Sequence, residues 1–100
     1  MKFIKDLSVS DGTSLQGYTE TTMRRLIEVF GEPEYYGEGD KVTVEWCLQF
    51  EDGTVATIYD WKRYELGTPE LDELMHWNVG GNSAVALATV EYQMRVHSLA

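Results

Sequence analysis

The chain contains little of what a disulfide framework, a metal site or a membrane span requires. Its 100 residues include one cysteine, Cys47, with two histidines and two prolines. A single thiol cannot close an internal disulfide, and no cysteine and histidine cluster has the spacing of a zinc site. No apolar run approaches the ~18 residues of a membrane span, and the first residues lack the apolar run of a signal peptide. We therefore expect a cytoplasmic protein of a reducing compartment, without metal or cofactor.

Basic residues are also scarce. Eight Lys and Arg residues stand against 17 Asp and Glu residues, which gives a formal net charge of −9. This balance disfavours direct binding to nucleic acid or to anionic lipid, because both carry negative charge. It allows a basic protein partner or imitation of nucleic acid, and it equally serves solubility. A hydrophobic content of 43% and the chain length indicate one globular domain over residues 1–100.

Two helices are predicted, at about residues 20–30 and 83–98. The first has apolar side chains at i, i+3, i+4 and i+7, which places them on one helix face: Met23, Leu26, Ile27 and Phe30. The second carries a broad apolar stripe: Val85, Ala88, Tyr92, Val96 and Leu99, widened by Leu87, Val90 and Met94. A stripe this wide indicates deep burial or a second contact across an oligomer interface, and a homodimer through this helix is one such contact.

The centre of the chain predicts an antiparallel β-meander of three to five strands packed against the two helices, an α+β fold. Residues 42–50 and 55–61 alternate apolar and polar side chains, as half-buried strands do. Shorter strands are expected at 34–36 and 75–79, whereas the pattern of 13–18 is typical of an irregular segment or a short strand.

Asp52 and Gly53 predict a two-residue type I′ turn between the central strands. That register pairs Trp46 with Tyr59, and it places Trp61 on the same buried face, so that both indoles are hidden from water. Glu45 and Asp60 then become neighbours on the opposite face.

A candidate ligand site follows, because two glycines directly precede the second helix. Backbone N–H groups at a helix N-terminus favour an anion, and glycine allows a ligand to approach closely. The expected ligand is a nucleotide-like anion, although the segment has no phosphate-loop pattern and plain turn chemistry explains it equally. The candidate residues are His76, Asn78, Gly80, Gly81, Asn82 and Ser83.

Two further surfaces are candidates. A hydrolase-like enzyme would use His76 with Asp60 or Glu45 as an acid–base pair, although no catalytic residue is assigned. An acidic surface beside the first helix and at the hairpin tip would present negative potential to a basic partner. Its residues are Glu32, Glu34, Glu38, Asp40, Glu51 and Asp52.

Several segments resemble a group of small uncharacterised tailed-phage proteins. They are residues 13–18 (TSLQGY), 26–33 (LIEVFGEP), 50–62 (FEDGTVATIYDWK) and 76–81 (HWNVGG), together with Val44-Glu45-Trp46. The resemblance implies a viral accessory protein in the cytoplasm of a bacterial host, and it brings no established activity or catalytic residues. Separately, a helix ending in Gly-x-Pro before a meander is similar to small outer-membrane-assembly lipoproteins, from which the sequence departs by lacking a cysteine near its start.

The function expected from these observations is non-enzymatic binding to a host or phage protein, with inhibition of a host system as one form of it. The alternatives are a small-ligand binder at Gly80-Gly81 and the His76 enzyme. A ligand binder requires a preformed concave pocket at the glycines, whereas a protein binder requires a flat apolar patch.

Overall fold

The computed structural model describes residues 3–37, 41–62 and 67–99. An antiparallel sheet and two helices form the α+β fold that the sequence predicts, with six strands rather than three to five. The strands and helices, in chain order, are β1 (Phe3–Lys5), a 3₁₀ turn (Leu7–Ser10), β2 (Ser14–Thr21), α1 (Met23–Phe30), β3 (Tyr35–Tyr36), β4 (Val44–Phe50), β5 (Val55–Tyr59), β6 (Met75–Gly81) and α2 (Val85–Leu99).

The sheet has the order β1-β4-β5-β6-β2, and β3 shares one edge of β4 with β1. Along that edge β1 pairs with Leu48–Phe50 of β4, while β3 pairs with Val44 and Glu45. Cys47 therefore lies between the two short strands and has no partner residue in either of them. A side chain bonds its N–H instead. The Cys47 N–H donates to Glu34 Oε2 at 2.8 Å, and Lys5 Nζ lies 3.2 Å from Glu34 Oε1.

Lys5 also ties the sheet edge to the end of α1. Its ammonium donates to the carbonyl of Phe30 at 2.7 Å and to that of Glu32. The Phe30 carbonyl is one of those that a helix C-terminus leaves unpaired, and a cation there is also favoured by the helix dipole. The helix itself starts at the Thr22 N-cap, whose side chain accepts from the Arg25 N–H, and it ends at Gly31 with φ 81°.

Both helices pack on one face of the sheet and form a single core with it. At its centre the rings of Trp46 and Trp77 meet edge to face with centroids 5.6 Å apart. Each buried indole N–H has an acceptor, because Trp46 donates to the Gly31 carbonyl and Trp77 donates to the Thr21 carbonyl. The other core residues are Met23, Leu26, Val29, Phe30, Val44, Leu48, Phe50, Ala56, Ile58, Val79, Ala86 and Val90. No helix within the described residues is long and apolar enough to cross a membrane.

The register predicted for the β4–β5 hairpin is wrong by one residue. Trp46 pairs with Ile58 and Leu48 pairs with Ala56, because the loop has three residues rather than two. The Phe50 N–H donates to the Thr54 carbonyl at 2.8 Å, and Gly53 has φ 87°. A three-residue loop that ends in a left-handed glycine is the second common hairpin connection. It turns Tyr59 away from the helices and leaves Trp61 46% exposed, so only one of the two indoles is hidden.

Strand β2 is longer than the irregular segment or short strand that the sequence predicts at residues 13–18. It pairs with β6 from Ser14 to Thr21, with an irregularity at Gln16, where the register shifts between Leu15 and Gly17. A bulge places one extra residue in a strand and bends it. The alternation of this strand is therefore broken, and its apolar content is low, so its sequence does not show the two-residue period of a strand.

Candidate functional site

The face of the sheet opposite the helices is only partly covered. The 3₁₀ turn packs over β4 and β5 there, and beneath it Cys47 and Thr57 are buried. Beyond the turn, β2, β6 and the end of β5 display their side chains outward. This exposed part of the sheet is the candidate functional surface, because paired strands present side chains there that neither α1 nor α2 covers.

Three aromatic side chains lie on this surface. The strand register places Tyr18 of β2 opposite Asn78 of β6, and Asn78 opposite Tyr59 of β5. The Tyr59 ring meets Trp61 edge to face, with centroids 6.2 Å apart. Tyr18 is 57% exposed and Trp61 is 46% exposed. We call the surface formed by Tyr18, Tyr59 and Trp61 the aromatic face.

Charged groups border the aromatic face at two ends. Lys41 Nζ and Lys62 Nζ each lie 5.9 Å from the centre of the Trp61 ring, within the range of a cation–π interaction. At the other end His76 Nε2 lies 2.6 Å from Glu20 Oε2, and both side chains are exposed. An aromatic centre with a polar rim is typical of protein–protein interfaces.

The acid–base pairs predicted for His76 do not form. Asp60 is buried and accepts hydrogen bonds from the N–H groups of Thr43 and Val44 and from the Thr43 hydroxyl. Glu45 pairs in register with Tyr59 and so faces away from Asp60; their predicted placement on one face is wrong, because the register is shifted by one residue. His76 has Glu20 as its acidic neighbour instead. Within the described ranges, no three histidine, cysteine or acidic residues are grouped to hold a metal ion.

The predicted ligand residues at the start of α2 have structural contacts. Gly80 and Gly81 are buried in the sheet. Asn82 Oδ1 accepts from the Val55 N–H at 3.1 Å, and its Nδ2 donates to the Gly53 carbonyl at 3.2 Å. The Ser83 hydroxyl accepts from the Val85 N–H at 3.3 Å.

Asn78 and His76 lie apart from that turn, because Asn78 pairs within the row of the aromatic face and His76 contacts Glu20. The six residues thus divide between two places in the fold. Anion binding at the two glycines stays a prediction.

The predicted acidic surface is divided in the structure. The Glu34 carboxylate is largely buried and paired with Lys5, and exposed Glu32 accepts from the Tyr36 hydroxyl. Glu51 and Asp52 are exposed at the hairpin tip, at the other end of β4 from β3. The remaining two members, Glu38 and Asp40, lie outside the described residues.

Cys47 is a buried thiol with a raised pKa. Burial raises the pKa of its thiol to about 12, and the neighbouring carboxylates of Glu45 and Glu34 act in the same direction. Burial also raises the pKa of Glu45, and the charge of Glu34 adds to that effect. The uncharged thiol is therefore favoured throughout the physiological pH range, which is the opposite of what a catalytic thiolate needs.

We expect the Cys47 thiol to react with a disulfide reagent on the order of 10³-fold more slowly at pH 8 than an ordinary cysteine, because so little thiolate is present. The measurement is the rate at which the disulfide reagent releases its own thiol group, with and without guanidinium chloride. Unfolding removes both burial and the neighbouring charges, so the denatured chain should react at once. Rapid labelling of the native chain would contradict this assignment.

Sequence reasoning missed the aromatic face. Tyr18 lies in a segment whose pattern fits an irregular segment as well as a short strand, and the predicted hairpin register assigns Trp61 to the core. One local feature of the sequence could have indicated that Trp61 is exposed. Trp61 is followed by Lys62 and then by a polar stretch, which is more typical of a strand end than of a core.

Comparison of the chain with family models, curated proteins and solved structures gave no match.

Proposed function

We propose that this chain is a non-enzymatic protein-binding domain whose contact surface is the aromatic face. The observation that supports it is the position of Tyr18, Tyr59 and Trp61 on the side of the sheet opposite α1 and α2, where two of these three residues are about half exposed. The resemblance to tailed-phage proteins favours a host or phage protein as the partner, with inhibition of a host system as one consequence.

The energetic case rests on the kind of residue that is exposed. Tyrosine and tryptophan are the side chains most enriched among interface positions whose truncation costs about 2 kcal/mol or more. They bury a large area with few rotatable bonds, so little side-chain entropy is lost. Tyr18 and Tyr59 also lie on paired strands, which fixes their backbone before any partner arrives.

Charge would act mainly on the approach of the partner. The net charge of −9 attracts a basic protein over distances up to about the Debye length, roughly 8 Å at physiological salt. Close to the surface, the aromatic face has charges of both signs, so its partner needs both as well. The positive charges are Lys41 and Lys62 beside Trp61, and the negative charge is Glu20 beside His76. Such a pattern sets orientation more than affinity.

Replacing Tyr18 or Trp61 by alanine should weaken capture of the partner at least about tenfold, because each removes a large apolar contact from the centre of the interface. The measurement is quantitative mass spectrometry of proteins cross-linked to the purified chain in bacterial lysate. Tyr92→Ala is the matched control, since Tyr92 is 51% exposed on α2, away from the aromatic face.

The proposal requires a protein that wild type and Tyr92→Ala capture equally and that both face variants lose. Melting temperatures of all four chains show whether the variants are folded. Equal capture by Tyr18→Ala, Trp61→Ala and wild type would reject the aromatic face, as would loss of capture only in Tyr92→Ala.

A further inference from the structure

Strand β2 is the last strand of the described sheet on its side. An edge strand has a row of backbone N–H and C=O groups that can pair with another chain, and natural proteins commonly protect long edges with lysine, proline or bulges. The eight residues of β2, SLQGYTET, contain neither lysine nor proline. The strand has an irregularity at Gln16 and a charge at Glu20.

The pairing of β2 with β6 is regular after the irregularity at Gln16. From Gly17 to Thr21 each residue has one partner in β6 without a shift. The side chains of Tyr18 and Glu20 lie on the side of the aromatic face, and that of Thr19 between them lies on the side of the helices. Five residues in register are enough to pair with one strand of ordinary length.

Helix α2 extends over this edge. A side chain at Gly17 would collide with Leu87, whose Cδ2 lies 2.6 Å from the point that a Cβ would occupy there, so Leu87 lies directly above β2. The same flank of α2 lines a shallow cleft of about 310 Å³, formed by Ala84, Leu87, Ala88, Glu91 and Arg95. Ala84 directly precedes α2 and the other four residues belong to it, and Leu87 among them contacts β2. We call the cleft the edge cleft.

We propose that the outer edge of β2 receives an added antiparallel or parallel strand from the partner protein, an extended segment that alternates apolar and basic side chains. The proposal rests on the protein-binding function above and specifies how the partner binds. Main-chain hydrogen bonds to β2 supply affinity in this mode, and alternate side chains supply specificity.

The two sides of the added strand meet different surroundings. On the helix side, the small exposed residues Ala84 and Ala88 border the edge cleft beside Leu87, and an apolar side chain of the added strand would fill that cleft. On the other side, the exposed carboxylate of Glu20 lies next to Tyr18. A lysine or arginine there can pair with Glu20 while its alkyl stem covers the Tyr18 ring. This charge complementarity selects a basic segment over an acidic one.

The test uses a displayed library of random peptides of about 12 residues, selected on the full chain, and then the enriched peptides as synthetic probes in fluorescence anisotropy. We expect enriched peptides to alternate apolar and basic residues. Ala88→Trp, which fills the edge cleft, and Glu20→Lys, which reverses the charge, should each weaken their binding about tenfold or more.

Two control variants match these changes. Val85→Trp adds the same ring at an exposed position of α2 that does not line the edge cleft. Glu28→Lys removes an exposed carboxylate that pairs with Arg25, as Glu20 pairs with His76. Both controls should bind the peptides as wild type does.

Failure to enrich alternating peptides overturns strand addition, as does binding that Ala88→Trp and Glu20→Lys leave unchanged. Those results are separable from failure of the aromatic face. A partner lost on Tyr18→Ala and Trp61→Ala but kept on Ala88→Trp and Glu20→Lys supports the proposed function and rejects the edge.

Discussion

Replacing Asp60 by alanine is expected to lower the free energy of unfolding by about 3–5 kcal/mol, a large part of the 5–15 kcal/mol typical of a small domain. Asp60 is fully buried. Its carboxylate accepts from the N–H groups of Thr43 at 2.8 Å and Val44 at 3.1 Å, and from the Thr43 hydroxyl. Alanine leaves these buried donors without an acceptor, and each unpaired donor costs about 1–3 kcal/mol.

The measurement is thermal or chemical unfolding followed by circular dichroism, and a fall of roughly 15–30 °C in the melting temperature is expected. Asp60→Asn retains one carbonyl oxygen at the site and should recover part of the loss. Asp72→Ala is the control, because its ion pair with Arg24 is exposed on both sides and exposed pairs contribute little. An Asp60→Ala chain as stable as wild type would contradict a structural role for this carboxylate.

Replacing Gly81 by alanine should also destabilise the fold strongly, by about 3 kcal/mol, although its backbone needs no unusual φ. A Cβ at Gly81 would collide with the Cβ of Ala86 and lie 2.7 Å from the Val55 carbonyl oxygen. Neither atom belongs to a flexible side chain, so the strand and the start of α2 must move apart. Overpacking of this kind typically costs about 1–3 kcal/mol and occasionally more.

A double-mutant cycle with Ala86→Gly measures this contact. Ala86→Gly removes one of the two colliding atoms, so Gly81→Ala should be less harmful in the Ala86→Gly background than in wild type. The coupling is read from unfolding curves of the four chains. If the two substitutions are additive, or if Gly81→Ala is as stable as wild type, the close packing of α2 on β6 does not explain this glycine.

The two helices were predictable because their signals are local. Gly31 and Pro33 mark the end of α1, and the apolar spacing before them matches the buried side of the helix. Its predicted start, near residue 20, is early because the chain remains in β2 until Thr21. The predicted apolar stripe of α2 is only partly buried in the core. Val90 is buried, whereas Val85, Tyr92 and Val96 are exposed. The homodimer through this helix stays a prediction.

The hairpin register was not predictable from alternation, because both registers place apolar residues opposite one another. The choice depends on the loop, where Asp-Gly suits a two-residue turn and a three-residue turn ending in glycine equally well. The structure has the longer loop, with Asp52 Oδ1 accepting from the Thr54 N–H at 2.9 Å. The one extra residue in the loop shifts the register, and this shift buries Asp60 and leaves Trp61 exposed.

The candidate surface was hidden from the sequence for a related reason. Tyr18 and Tyr59 are distant in the chain and lie on either side of Asn78 only because β2 and β5 both pair with β6. No local pattern reports which strands are neighbours. The Gly80-Gly81 pair, by contrast, was visible as a motif, but close packing and the Asn82 hydrogen bonds explain it without a ligand.

The most direct test of protein binding through the aromatic face is an NMR titration of the isotope-labelled chain with its captured partner. We predict that the Trp61 indole N–H signal and the backbone amides of Tyr18, Tyr59 and Asn78 shift or broaden, while the amide of Tyr92 on α2 does not. Changes confined to α2 or to the hairpin tip, with the Trp61 indole signal unmoved, would contradict it.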